Sequence, residues 1–138
     1  MRLVEIPKFS MACKMIHYNK YFPNGWELED TLTEIHDSEG YVIGLILWTT
    51  HGNNAYNVHI HHFGADFFTF GKGLLEFCRL GEYTFNEINV ECIIGTPFER
   101  MLIKRGWTPR EASVPERIFY DYRRKKSWVG SETNLPRV

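Results

Sequence analysis

The chain has 138 residues, enough for one folded domain around a single core and too few for two. Ordinary apolar content and an aromatic content of 15% exclude disorder for most of its length. A net charge of -1 gives no global argument for nucleic acid or acidic lipid as partner, and no apolar run approaches the ~20 residues of a membrane span.

In chain order, residues 1–6 alternate well enough for a short strand, which Pro7 stops. The same segment carries Glu5 and Pro7 where a signal peptide needs an unbroken apolar stretch. Ser10 is placed to cap a helix running to about Tyr21, with Met11, Met15, Ile16 and Tyr18 at near-helical spacing. Phe22-Pro23-Asn24-Gly25 reads as a turn. A β meander follows. Thr31–His36 is extended, Asp37-Ser38-Glu39-Gly40 turns, and Tyr41–Thr50 is apolar on both faces, the mark of a central covered strand. His51-Gly52-Asn53-Asn54 turns again into a strand over Tyr56–Phe63.

Further along, Leu74–Tyr83 reads as a helix with Leu74, Phe77, Cys78 and Leu80 on one stripe, and Ile88–Ile94 as an apolar strand. Thr96 and Pro97 form a helix start, with Phe98–Arg105 as the helix and Gly106 as its stop. Arg117–Arg123 is the last strand. The expected architecture is one mixed α/β domain over residues 1–123, a mainly antiparallel sheet with helices on both faces, followed by a polar tail over 124–138. Because a helix joins them, the Tyr56–Phe63 and Ile88–Ile94 strands should be parallel neighbours. Three unpatterned cysteines, Cys13, Cys78 and Cys92, fit reduced thiols in a cytoplasm, with Cys78 and Cys92 buried.

The segment Phe67-Phe68-Thr69-Phe70-Gly71-Lys72-Gly73 lies between a His-rich strand and an apolar helix. Its Gly-x-Gly, read as the passage from extended chain to helix, would let the backbone approach a ligand and offer helix-start amides to a phosphate or pyrophosphate. Lys72 between the glycines adds a point charge or is simply solvated. Phe67, Phe68 and Phe70 are three aromatics in a segment that would be polar if it were only a linker.

This segment and Gly95-Thr96-Pro97-Phe98-Glu99-Arg100-Met101-Leu102-Ile103-Lys104-Arg105-Gly106-Trp107 together resemble motifs of the GNAT (Gcn5-related N-acetyltransferase) superfamily. The family's pyrophosphate arm, Gln or Arg, two residues, Gly, one residue, then Gly or Ala, falls on Phe68 to Gly73. Both glycine positions match, and Phe68 replaces the Gln or Arg. Gly106-Trp107 is similar to the family's Gly-aromatic pair, while Leu102 stands where many active members carry the tyrosine that protonates the departing thiolate. In length, short first helix and weak cofactor loop the chain is also similar to small GNAT-like proteins of tailed bacteriophages, including an internal virion protein of podoviruses.

The resemblance implies acetyl-CoA or another acyl-CoA as co-substrate, a small-molecule or protein amine as acceptor, no metal, and a cytoplasmic or virion location. Phe63, Phe68, Phe70, Gly71, Lys72 and Gly73 become the candidates for cofactor contact. The strand before the arm should supply backbone amides, near Ile60 to His62, that polarise the thioester carbonyl. His61 and Glu91 are the candidate bases. A neutral imidazole is suited to accept an amine proton, and a carboxylate within an apolar strand needs a reason to be there. Glu91 has an equally ready structural reading as partner of Lys72, Arg79 or a tail arginine. His59 and His61 share a strand face and resemble a pair of metal ligands, but nothing at a recognisable spacing completes the set. The second function class is a non-catalytic protein of the same fold, a virion component, adaptor or inhibitor that docks a partner or a second copy through its Phe cluster.

Overall fold

In the computed structural model, residues 1–64 and 66–125 are described. They form a seven-stranded sheet in the order β1-β2-β3-β4-β5-β7-β6. Its strands are β1 (Arg2–Glu5), β2 (Asp30–His36), β3 (Val42–His51), β4 (Asn54–His62), β5 (Glu87–Ile93), β6 (Thr108–Glu111) and β7 (Arg117–Arg123). The helices are α1 (Met11–Tyr18), α2 (Phe67–Thr84) and α3 (Pro97–Lys104). Every neighbouring pair is antiparallel except β4 and β5, which run parallel and are joined through α2. The polar tail beyond Lys125 lies outside the described residues.

Two cores sandwich the sheet. On one face α1 and its flanking turns bury Met11, Met15 and Phe22 against Leu32, Leu45 and Leu47. On the other face α2 and α3 bury Leu74, Phe77, Cys78 and Leu102 against Ile35, Ile46, Val58, Ile88 and Val90. The alternation of a strand explains the split: in β3 Leu45 and Leu47 face α1 while Ile46 faces α2. As Tyr41–Thr50 led one to expect, β3 is covered on both sides.

The structure corrects the sequence reading at four points. Ser10 makes no capping hydrogen bond through its side chain, and α1 ends at Tyr18 rather than about Tyr21. Helix α2 starts at Phe67, seven residues before the expected Leu74, because Asp66 caps it by accepting the Thr69 N–H at 3.0 Å. Gly71, Lys72 and Gly73 are therefore helical rather than parts of a loop. The buried stripe of α2 is Gly73, Leu74, Phe77, Cys78 and Gly81, and Leu80 is exposed. A strand was also missed: no element was expected between Trp107 and Arg117, where β6 forms a fully exposed edge, a position that tolerates Pro109.

Glycine is required at the α2–sheet contact. A Cβ on Gly73 would stand 2.6 Å from Ile35 Cγ2, and one on Gly81 would stand 2.7 Å from Ile88 Cδ1. Those two positions let the helix axis come close to the strands, whereas a Cβ on Gly71 would meet open space.

α3 begins as expected. Thr96 accepts the Glu99 N–H, Pro97 opens the helix, and the Glu99 carboxylate accepts from the Gly95 N–H and the Tyr120 hydroxyl. Burial and this carboxylate push the Tyr120 hydroxyl up to about 12. Leu102 is fully buried, in the same core as Trp107 and Tyr120.

Candidate functional site

The site is built by a ladder that stops. β4 and β5 pair at Asn54–Glu87, Ala55–Ile88 and Val58–Val90, and no rung follows. Between the last two rungs β4 carries an extra residue, a bulge in which Asn57 adopts φ 53°. The Asn57 N–H, turned out of the ladder, donates to Asn89 Oδ1 at 2.7 Å. Beyond Val58 and Val90 the strands follow different partners. β4 stays on β3 as far as His62–Gly44, and β5 stays on β7 as far as Ile93–Arg117. A gap opens between them at their C-terminal ends.

Backbone groups line that gap. Phe63 N–H donates to Ile43 O, which fixes the direction of the alternating β4 amides. Of the amides singled out at Ile60 to His62, that of His61 is thus turned to β3 and that of Ile60 to the opening.

Side chains on the α1 face of the rim come from both strands. His59 Nδ1 lies 3.3 Å from Glu91 Oε1, across the first position past the last rung. This is the partner of Glu91; Lys72 instead lies over the Phe68 ring at 4.6 Å, and Arg79 approaches Glu76. His61 stacks on Tyr21 at 4.2 Å and meets the edge of Phe63 at 5.1 Å. Burial, and then the neighbouring His62, hold the His61 imidazole below its usual range, so it is neutral at neutral pH. Phe63 completes this wall against Tyr18 and Tyr21.

On the opposite face His62 stacks on Phe70 at 4.1 Å and meets the edge of Phe67 at 4.5 Å. Phe70 lies against Gly44 so closely that no Cβ fits there. Phe67 and Phe68 are about three-quarters exposed at the start of α2, at 73% and 74%. The first-turn amides left without intrahelical acceptors are those of Phe67 and Phe68, since Asp66 holds Thr69 through its side chain and Phe70 through its carbonyl. The hydrogen bonds from Thr69 also hold the Asp66 carboxyl below its usual range, which keeps it charged.

The structure thus sets His61 against Phe63 on one face, with Glu91 against His59 on that same face, and puts Phe68, Phe70, Gly71 and Lys72 in the first turns of α2, where Phe70 meets His62 on the other face. Gly73 is not with them; it packs on Ile35. The sequence reading missed the Asn57–Asn89 bulge, for which an asparagine inside an apolar strand was the available signal, since asparagine tolerates positive φ. It also missed Tyr21, brought to His61 by the fold alone. Among the described residues no group of three or more His, Cys, Asp or Glu is placed to hold a metal ion, and no helix is long and apolar enough to cross a membrane.

No family model matches the chain, and no curated protein matches it in sequence. In structure it is similar to a point mutant of SpeG, the spermidine N-acetyltransferase of Vibrio cholerae, at 12% identity and a TM-score of 0.57 over 88% of this chain and 92% of that one. The GNAT domain of S. lividans PAT matches at 12% identity and a TM-score of 0.57, over 88% of this chain and 89% of that domain. At such identity the likeness is one of fold, and it agrees with the parallel pair that parts after a bulge: the chain has the fold of the GNAT superfamily.

Proposed function

We propose that the protein transfers an acyl group from an acyl-CoA to an amine in the gap between β4 and β5. The observation that supports this most is the end of the β4–β5 ladder at Val58–Val90, with the Ile60 amide facing the space that opens. A thioester carbonyl seated there would receive a donor already fixed in direction, the arrangement that stabilises charge developing on an oxygen. The amine nitrogen attacks the carbonyl carbon, a C–N bond forms, the C–S bond breaks with its electron pair on sulfur, and one proton leaves the nitrogen. The rim formed by His59, His61 and Glu91 supplies the acceptor for that proton. With a leucine at 102, the thiolate departs without a tyrosine acid, which is tolerable because a thiol pKa lies at about 8.5. In this reading Phe63 and Phe70 wall the channel, and the exposed first turns of α2, with Phe68, Gly71 and Lys72, lie along the donor's phosphate-bearing arm.

Calorimetric titration with acetyl-CoA tests this. Micromolar binding that weakens in Gly71→Glu, a change in open space on the helix surface, supports the proposal. Undetectable binding at millimolar ligand overturns it.

A second reading has its own observation. The charged Asp66 carboxylate caps α2 where a diphosphate would sit, and Phe67 and Phe68 are both exposed in its first turn. Those features suit a non-catalytic protein of this fold that docks a partner through its aromatic pair.

A further inference from the structure

We propose that His59 is the residue that takes the amine's proton and that Glu91 positions it; this assignment rests on the acyltransferase reading above. Location is the first argument. His59 and Glu91 immediately follow Val58 and Val90, the last paired residues, so they stand on the two lips of the gap where it opens. Contact is the second. Nδ1 of His59 is 3.3 Å from a Glu91 oxygen, and a carboxylate there favours the tautomer that carries its proton on Nδ1. The lone pair is then on Nε2, free to accept. Access is the third. The two side chains are 30% and 16% exposed, open to a solute yet shielded enough for the pairing to hold.

His61 is held differently. Tyr21 covers one face of its ring and Phe63 stands at its edge, so it serves as wall beside the path of the amine. Glu91 from β5 is in contact with His59, His61 shares its strand face with Tyr21 stacked on it, and the register partner on β3 is the apolar Leu47. In the transfer step the proton passes from nitrogen to His59 Nε2 as the C–N bond forms. The imidazolium is stabilised by Glu91 until it returns the proton to water.

The test has two readouts. Nitrogen-15 NMR of the free protein reports the His59 tautomer without any turnover. The expected result is Nδ1–H in the wild type and a return to Nε2–H in Glu91→Leu; a wild-type Nε2–H tautomer overturns the positioning role. Acetyl transfer from acetyl-CoA to spermidine and to butylamine reports the chemistry. His59→Gln should lower kcat by about 100-fold or more, on the scale of general-base loss. Turnover that survives undiminished in His59→Gln overturns the assignment while the acyltransferase reading stands. A wild-type protein that binds no acetyl-CoA and acetylates neither amine overturns that reading, and the assignment with it.

Discussion

The backbone N–H of Asn57 donates to the side chain of Asn89 at 2.7 Å, so that a side chain takes the place of a ladder rung where β4 leaves β5. The parting of the strands is thereby fixed by two residues rather than left to the loops beyond it. Asn89→Ala removes the acceptor and should cost about 1 kcal/mol, the net worth of one hydrogen bond. Asn57→Gly keeps the positive φ and should be tolerated, whereas Asn57→Val should cost roughly 1–3 kcal/mol because a β-branched side chain resists that conformation. Urea unfolding of the three variants checks the order; equal losses in Asn57→Gly and Asn57→Val would show that φ at this position is not the constraint.

Two glycines once grouped as one motif should behave oppositely. Gly71→Ala, in open space inside a helix, should stabilise by about 0.5–1 kcal/mol. Gly73→Ala places a methyl 2.6 Å from Ile35 Cγ2 and should destabilise by roughly 1–3 kcal/mol. Thermal melts of the pair decide it, and a destabilised Gly71→Ala would count against the helical placement of that residue.

Glu34 is buried between α1 and the sheet, where it accepts from Lys14, Tyr18 and His36 at 3.0, 2.8 and 2.8 Å. Burial alone would raise its carboxyl, but the hydrogen bonds from His36, Lys14 and Tyr18 together outweigh that and hold it below its usual range. A depressed carboxyl stabilises the fold fully above the ordinary glutamate value of about 4.3, and that contribution is lost as pH falls through the lower folded value. Unfolding midpoints measured from about pH 7 down to about pH 3 should therefore drop more steeply in the wild type than in Glu34→Gln. Glu34→Gln should also cost about 1–3 kcal/mol at neutral pH by weakening bonds to its partly buried partners. Parallel curves would remove Glu34 from the acid limb.

How far the sequence could be read follows from which residues carry local signals. Thr96 and Pro97 announce α3 because a cap and a first-turn proline act on their own neighbours. The parallel β4–β5 pair was legible because a connecting helix leaves few topologies. The start of α2 was not. Phe67, Phe68 and Phe70 have poor helix preference, and the glycines between and after them mimic a loop. What overrides these local signs is the Asp66 cap together with the packing of Gly73 on Ile35, a contact across 38 positions of sequence. The candidate site divides in the same way. His61 and Glu91 stood out by residue type, but the pairing of Glu91 with His59 exists only because two strands meet at one rung and then part.

Leu102 was singled out as the position of a missing acid, and its surroundings say what restoring a hydroxyl would do. The side chain is fully buried in the core that holds Trp107 and Tyr120. Leu102→Tyr adds volume to a packed site and should destabilise by about 1–3 kcal/mol, while Leu102→Ala should cost roughly 2–5 kcal/mol. Guanidinium unfolding gives both numbers. A Leu102→Tyr variant as stable as the wild type and faster in acetyl transfer would mean that this side chain reaches the gap after all.

Phe68 separates the two functional readings most cheaply. Its ring is 74% exposed, next in sequence to Phe67 at 73%, and the Lys72 ammonium stands 4.6 Å from its centroid. A side chain that exposed contributes little to the core, so Phe68→Ser should change stability by no more than about 0.5 kcal/mol. Any larger functional effect then reports on what the surface does. If α2 lies along a donor's arm, Phe68→Ser weakens acetyl-CoA binding and leaves sedimentation unchanged. If the aromatic pair docks a partner or a second copy, the variant loses self-association or dye-binding surface and its acetyl-CoA titration matches the wild type. A loss of about 3 kcal/mol or more, the scale of a large-to-small change in a core, contradicts the exposure of the ring and with it both uses of this surface.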